Sequence, residues 1–362
     1  RNRLMTKTEI TAFDLHFLTQ ELQPLIGERL DKIYVIKERE ILITFGNKKM
    51  IQFKPGKIWT PMQKPATPEQ IHPFAAQLRK IIGNSKVERL EQVCSERILA
   101  LTLSRSGKKF ALYIEIFGRG NIVLCDESNI VISALALNER VQRKQTYQLP
   151  KSTDTFHLEE KQFAEKMLQS KENISKTLAV QFGLGKTIAE ELCVRCGIPS
   201  AEQVKEEHAH EIYHELHKML EQKTSAQLIF DNNIPIDATP IQFQIYASKK
   251  RENIDRFGDA LDRLFALPAE AIKEQKTAPL QEKLKKIETM IKMQEQNLAR
   301  LQEKAEEERK KGEYIYEHYQ EINKLLSDII EAKKKLSWKE IKAKFSQIKE
   351  INEATGEVIV EV

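Results

Sequence analysis

Residues 115–126 read EIFGRGNIVLCD: two glycines and an arginine set between runs of strand-forming residues. Glycine and asparagine tolerate positive φ, so Gly118-Arg119-Gly120-Asn121 has the make-up of a hairpin turn, and its β-branched and aromatic flanks predict the two strands it joins. A hairpin alone does not require Arg119. Working outward, strands are expected at roughly 98–104, 110–117, 121–126 and 130–137. Upstream, DKIYVI, EILITF and KMIQFK form a meander whose turns are Lys-Glu-Arg-Glu and Gly-Asn-Lys-Lys. Phe13, Phe17, Leu18, Leu22 and Leu25 stand at helical spacing in residues 9–26, and FAAQLRKII makes a second helix after a Pro-rich passage from Pro55 to Pro73. Helices beside consecutive antiparallel strands predict an α+β class.

The chain has 362 residues, enough for two or three domains. No stretch approaches a membrane span and no apolar signal core is seen, so a soluble, cytoplasmic protein is expected, with no membrane partner. Four scattered cysteines do not make a disulfide framework, and Cys193-x-x-Cys196 lacks the second pair of a zinc ribbon. Residues 1–150 carry 24 Lys/Arg against 15 Asp/Glu, a charge of +9, leaving −4 for the rest. A positive, strand-rich half favours a polyanion such as RNA.

Three parts are expected. Residues 1–150 form the basic α+β domain. Residues 151–268 form a helical module, strand signals returning only in AQLIFD and IQFQIY before the helix RFGDALDRLFAL; which domain those strands join is open. Residues 269–362 form an arm, with Leu280, Leu284, Ile287, Ile291, Leu298, Leu301 and Ala305 in heptad spacing broken only by Gln294. A second series runs Ile315, Tyr319, Ile322, Leu326, Ile329 and Leu336, and GEVIVEV ends the chain as one strand without a visible pair.

HEIYH, from His210 to His214, matches the H-E-x-x-H helix of zinc hydrolases, but the following HELHKM does not meet the longer spacing that supplies a third ligand. It is read as polar helix surface, and neither metal nor cofactor is expected. GLGKT lacks the first glycine of a phosphate loop, since Val180 stands there. Helix, glycine turn and helix is the alternative, in which Gly183, Gly185 and Lys186 hold a backbone phosphate at a helix N-terminus; a plain helical hairpin is the other. Glu96 and Arg97 stand at the mouth of a strand, either as a solvated turn or as a fork gripping phosphate beside a carboxylate that orients it.

In chain order, DLHFLTQEL, GERLDKIY, PFAAQLRKII, QVCSERILALTL, YIEIFGRGNIVL, FGLGKTIAEEL, ALDRLF and KKGEYIY resemble the NFACT family of ribosome quality-control factors, which includes proteins once called fibronectin-binding protein A. The resemblance implies binding to split large ribosomal subunits that hold peptidyl-tRNA, and recruitment of tRNA so that the nascent chain gains a C-terminal tail. Peptidyl transfer then belongs to the ribosome, and no active site is expected in the chain itself. A ubiquitin ligase or another degradation factor is a further expected partner. Glu96-Arg97 matches a family Asp-Arg pair needed for tailing, with Glu in place of Asp, while Glu115, Ile116 and Arg119 fall on a motif associated with tRNA contact. Arg119 would then present its guanidinium to RNA backbone.

The family resemblance also implies an N-terminal fold like that of Fpg/Nei DNA glycosylases, which supplies an enzyme alternative. Those enzymes use an N-terminal proline and commonly a four-cysteine finger, whereas this sequence offers Arg1 or Met5 and no such finger. A coiled-coil scaffold or adhesin is the third reading. In the family a returning helix and an NFACT-R domain follow the tip, so the chain is expected to end inside the tip, with the 279–305 seam pairing with a second copy.

Overall fold

The computed structural model describes residues 6–265, 269–353 and 355–360, with side chains over 6–265, 286–353 and 355–360. The chain divides into two compact units, 1–267 and 268–362.

In the first unit Thr11 starts α1 (Ala12–Glu21) with a capping box: its hydroxyl accepts the Asp14 amide at 3.1 Å and Asp14 Oδ2 accepts the Thr11 amide at 2.7 Å. Pro24 ends the helix in a single 3₁₀ turn. The meander β1 (Leu30–Lys37), β2 (Glu40–Phe45), β3 (Met50–Lys54) and β4 (Lys57–Trp59) forms an antiparallel sheet in that order. β4 emerges inside the Pro-rich passage, where no strand was expected. After α2 (Pro73–Ile82) comes a second sequential sheet of β5 (Lys86–Gln92), β6 (Ile98–Arg105), β7 (Lys108–Glu115), β8 (Asn121–Asp126) and β9 (Val131–Ala134). The strand expected at 110–117 thus lies two residues earlier, the one expected at 130–137 is shorter, and β5 is additional.

The hairpin of β7 and β8 pairs Glu115 with Asn121, so five residues make the turn. Gly118 (φ 58°) and Gly120 (φ 67°) supply its left-handed positions. Alternation then divides the sheet's two faces. Leu112, Ile114, Ile116, Ile122 and Leu124 enter the main core, while Val123 and Cys125 face a smaller cluster with Val131, Val141 and Tyr147. The two sheets meet at one corner through an Arg29–Lys86 bridge. Elsewhere the Gly56 amide donates to the Ile116 carbonyl at 2.7 Å.

The helical part comprises α3 (Glu160–Leu168), α4 (Ile174–Lys176) continued by a π-helical stretch Thr177–Gln181, α5 (Lys186–Cys196) and α6 (Glu206–Leu220). A three-stranded sheet follows, in order β11 (Ile234–Thr239), β10 (Gln227–Asp231), β12 (Lys250–Asn253), then α7 (Phe257–Phe265). IQFQIY is not a strand: Gln244–Tyr246 is a 3₁₀ turn, because the buried Glu191 carboxylate takes the amides of Gln244 and Ile245 at 2.8 and 3.0 Å. One hydrophobic core runs from Ile10 to Phe265, so the parts expected as separate domains, 1–150 and 151–268, share an interior. Lys7 strengthens that union. Largely covered, it pairs with Asp14 at 3.0 Å and with Asp237 of β11 at 2.9 Å, so the late strands dock on the N-terminal part at this triad.

In the second unit α8 (Ala269–Glu317) carries the heptad stripe, of which Ile287, Ile291, Leu298 and Leu301 are exposed; Leu280 and Leu284 lie outside the described side chains. α9 (Tyr319–Lys333), α10 (Trp338–Lys344) and a hairpin of β13 (Ile348–Asn352) with β14 (Glu357–Val360) close around Ile329, Ile341 and Ile348. The terminal strand therefore has a partner, IKEIN, whose charged outer face hid it. Among the described residues no helix is long and apolar enough to cross a membrane.

Candidate nucleic-acid interface

The turn from β5 to β6 is tight enough to put Cys94, a non-glycine residue, at φ 52°. Gln92 clamps it: its side-chain amide donates to the Glu96 carbonyl at 2.9 Å and to the Ala12 carbonyl at 3.0 Å. Ser95 is buried and donates to Asp154 at 2.7 Å while its hydroxyl accepts the Phe156 amide at 2.7 Å, tying the turn to the segment that enters the helical part. Thr155 in turn donates to the Phe182 carbonyl at 2.7 Å. These bonds wall a cleft of about 380 Å³ between residues 95–97, 151–153 and 180–183, floored by Ala12.

Glu96, Arg97 and Gly183 line that cleft. The Glu96 carboxylate is half-buried and, among the described residues, has no hydrogen-bond or ion-pair partner. Arg97 donates through Nη1 to Glu9 at 2.6 Å and to the Ile10 carbonyl at 3.3 Å, leaving the rest of its fork free to grip an oxyanion. Burial, with Asp154 and Glu96 nearby, pushes the Cys94 thiol up, so it stays a neutral thiol. Gly183, at φ 66°, has open space where a Cβ would stand. Gly185 (φ 77°) caps α5 against Thr11, and the exposed Lys186 begins it, paired with Glu190 at 3.6 Å. Gly185 and Lys186 follow the cleft wall without lining it. A helix start free of a side-chain cap leaves amide donors and a positive dipole end beside Gly183.

The opening hairpin reaches the same end of the sheet, because the Ile116 amide donates to the Arg97 carbonyl at 2.8 Å. Its three candidate residues part company there. Arg119 is exposed, and its guanidinium has no ion pair among the described residues. Ile116 is fully buried. Glu115 is buried too, accepting from Arg140 Nη1 at 3.1 Å and from Tyr147 Oη at 2.9 Å. Burial and the Glu115 charge push the Tyr147 hydroxyl up, keeping it a donor. Neither Glu115 nor Ile116 is placed to touch a large ligand; they hold the turn. Gly120 likewise serves packing, since a Cβ there would meet Phe53 Cζ at 2.6 Å, while Gly118 faces open space.

Sequence reasoning missed three cations. Arg39, in the turn between β1 and β2, donates to the Arg119 and Gly120 carbonyls at 3.1 and 3.0 Å and so fixes the turn that carries Arg119. Arg140 lies 5.6 Å over the Phe117 ring and pairs with Glu115. Lys151 lines the cleft. Only the local charge of the Lys-Glu-Arg-Glu turn could have marked Arg39; the other two lie in irregular segments without periodicity.

A family model described as NFACT N-terminal and middle domains matches residues 11–354. The chain is 27% identical over 397 residues to the archaeal Rqc2 homolog aRqcH of Methanocaldococcus jannaschii, covering 98% of this chain and 58% of that protein. It is 33% identical over 135 residues to the ribosome quality control complex subunit 2 of Saccharomyces cerevisiae, covering 35% of this chain and 13% of that protein. The chain thus spans little more than half of the first relative's length, and much less of the second. In fold it is similar to the N-terminal part of the fibronectin/fibrinogen-binding protein from Streptococcus suis, with a TM-score of 0.58, 22% identity, and coverage of 71% of this chain and 99% of that one.

Proposed function

From the premise that the chain belongs to the NFACT family, we propose that it binds tRNA on stalled large ribosomal subunits through the end of the sheet that holds the cleft and Arg119. The observation that carries this reading is the cleft itself: an unpartnered carboxylate, a partly free guanidinium and a glycine turn before a helix start meet in one recess. Arg97 supplies charge-assisted bonds to phosphate, the α5 start supplies amide donors, and Glu96 has its lone pairs open to a ribose hydroxyl or a base amino group. Arg119 adds a second phosphate contact on the same side. Recognition of backbone and shape rather than sequence follows from donors of this kind.

The reading extends to tailing of the nascent chain, where Glu96 sets the reach of the carboxylate. Fluorescence anisotropy of labelled tRNA against salt tests the binding. Phosphate contacts release counterions, so log affinity falls linearly with log salt; a flat response, or equal affinity for an acidic control protein, overturns the proposal. Sequencing the C-termini of stalled nascent chains with and without the full-length gene tests tailing separately.

A further inference from the structure

HEIYH puts His210 and His214 one helical turn apart on α6, four residues of spacing that aligns both imidazoles on one face. A third donor is missing from that stretch and comes instead from Glu160, the first residue of α3. Its Oε1 contacts His210 Nδ1 and stands 3.3 Å from His214 Nε2, and all three donor atoms lie within 4.8 Å of one another. This is the one such group of three among the described residues. We propose that Glu160, His210 and His214 bind a zinc-class divalent cation, with the fourth position open to water.

Geometry and chemistry both carry the assignment. Ligand atoms about 2.0–2.2 Å from a tetrahedral zinc stand about 3.3 Å apart, which is the Glu160 to His214 separation; the closer Glu160–His210 contact opens to it by a side-chain rotation at the surface. The helices that present them are fixed beforehand: Phe163 meets Tyr213 edge to face at 5.5 Å, and the Tyr213 hydroxyl donates to the Leu158 carbonyl at 3.2 Å, two residues before Glu160. Two imidazoles and one carboxylate favour zinc, copper or nickel over magnesium or calcium, which want oxygen alone. The imidazoles are about 64% and 56% exposed, so a cation reaches them from solvent. Beside them a cavity of about 650 Å³ is lined by Glu159, Glu165 and Glu206 along with Lys161, a mostly acidic recess that draws a cation and leaves space for its water. Without the cation the Glu160 carboxylate stands against both rings; on binding, the ring nitrogens that face it give their lone pairs to the metal instead. The result is a clip between α3 and α6. The cysteine pair is a poorer site, since burial pushes the Cys193 and Cys196 thiols up to about 11 and a ligand thiol must ionise.

Calorimetric titration of zinc into the chelator-treated full chain tests the site. The expected result is one zinc per chain in the micromolar range or tighter, weakened at least about tenfold in the double variant H210Q/H214Q and in Glu160→Gln. Zinc should raise the melting temperature of the parent and of neither variant. Cobalt(II) should give a visible d–d band without thiolate charge transfer. No heat of binding, unchanged affinity in the folded variants, or a thiolate band overturns the proposal.

Discussion

Two glutamates at one end of the same sheet, about 20 residues apart in sequence, have opposite fates. Glu115 is 2% exposed and its Oε1 accepts from both Arg140 and Tyr147. Glu96 looks into the cleft with no side-chain partner among the described residues. The arginine nearest in sequence to each also differs: Arg97 stays at the surface, pairing with the exposed Glu9, while Arg119 turns outward from a turn whose base Glu115 secures. A buried carboxylate held by two donors is scaffold; one left open beside a cation is available to a ligand.

The largest expected effect comes from the scaffold side. Glu115→Ala leaves a buried tyrosine hydroxyl and a partly covered guanidinium without their acceptor, and should cost about 2–3 kcal/mol, the lower part of the range for a broken buried pair because Arg140 is one-third exposed. Denaturant unfolding checks it. A loss below a few tenths of a kcal/mol would erase the distinction between the two glutamates.

Next in size is Arg97→Ala, which should weaken tRNA binding by about 1–2 kcal/mol, roughly tenfold, yet change stability little, because the carboxylate it leaves behind, Glu9, is already in solvent. Anisotropy and unfolding on the same preparation separate the two outcomes. Equal losses in both would make Arg97 scaffold like Glu115.

Much of this arrangement was legible in the sequence, and the failures have physical causes. The Gly-x-Gly hairpin, the helical spacing of Phe13, Phe17 and Leu18 in α1, and the strands β6 to β8 each depend on neighbours in the chain. β5 was not legible, since KVERLEQ buries only Val87 and Leu90 among charged residues on an otherwise polar face. IQFQIY reads as a strand by local propensity and becomes a turn because Glu191, some fifty residues earlier, takes its amides. The burial of Glu115 was equally hidden: its partners Arg140 and Tyr147 lie in an irregular segment whose packing no periodicity announces. The meeting of Glu96 with Gly183 is a tertiary event, and the two motifs gave separate signals.

Arg119→Ala should act more weakly than Arg97→Ala and on salt dependence above all. An exposed phosphate contact removed in this way flattens the slope of log affinity against log salt by about one unit, with no change in melting temperature, since Arg39 grips the backbone of the turn rather than the Arg119 side chain. An unchanged slope would take Arg119 out of the interface and leave the cleft to act alone.

The smallest effect concerns the wall behind the cleft. His16 of α1 donates through Nε2 to the Leu220 carbonyl at 3.2 Å and meets Phe156 edge to face at 5.8 Å, the residue whose amide binds Ser95. Burial pushes its pKa down, the Leu220 carbonyl partly opposes that, and His157 adds to the lowering. The folded state therefore holds fewer protons than the unfolded one as pH falls below the ordinary imidazole value of about 6.5, so stability is fully present above that value and declines toward the depressed folded pKa. His217 is lowered by burial as well and contributes in the same direction. Replacing His16 with Gln, which keeps a donor for Leu220 without a titrating ring, should reduce the acid-induced loss of stability while leaving neutral stability within about 1 kcal/mol. Glu115→Gln, at the sheet's buried corner, should leave that decline between neutral and mildly acidic pH in place. If His16→Gln loses stability on acidification as steeply as the parent, the wall of the cleft is no more acid-sensitive than the scaffold beside it.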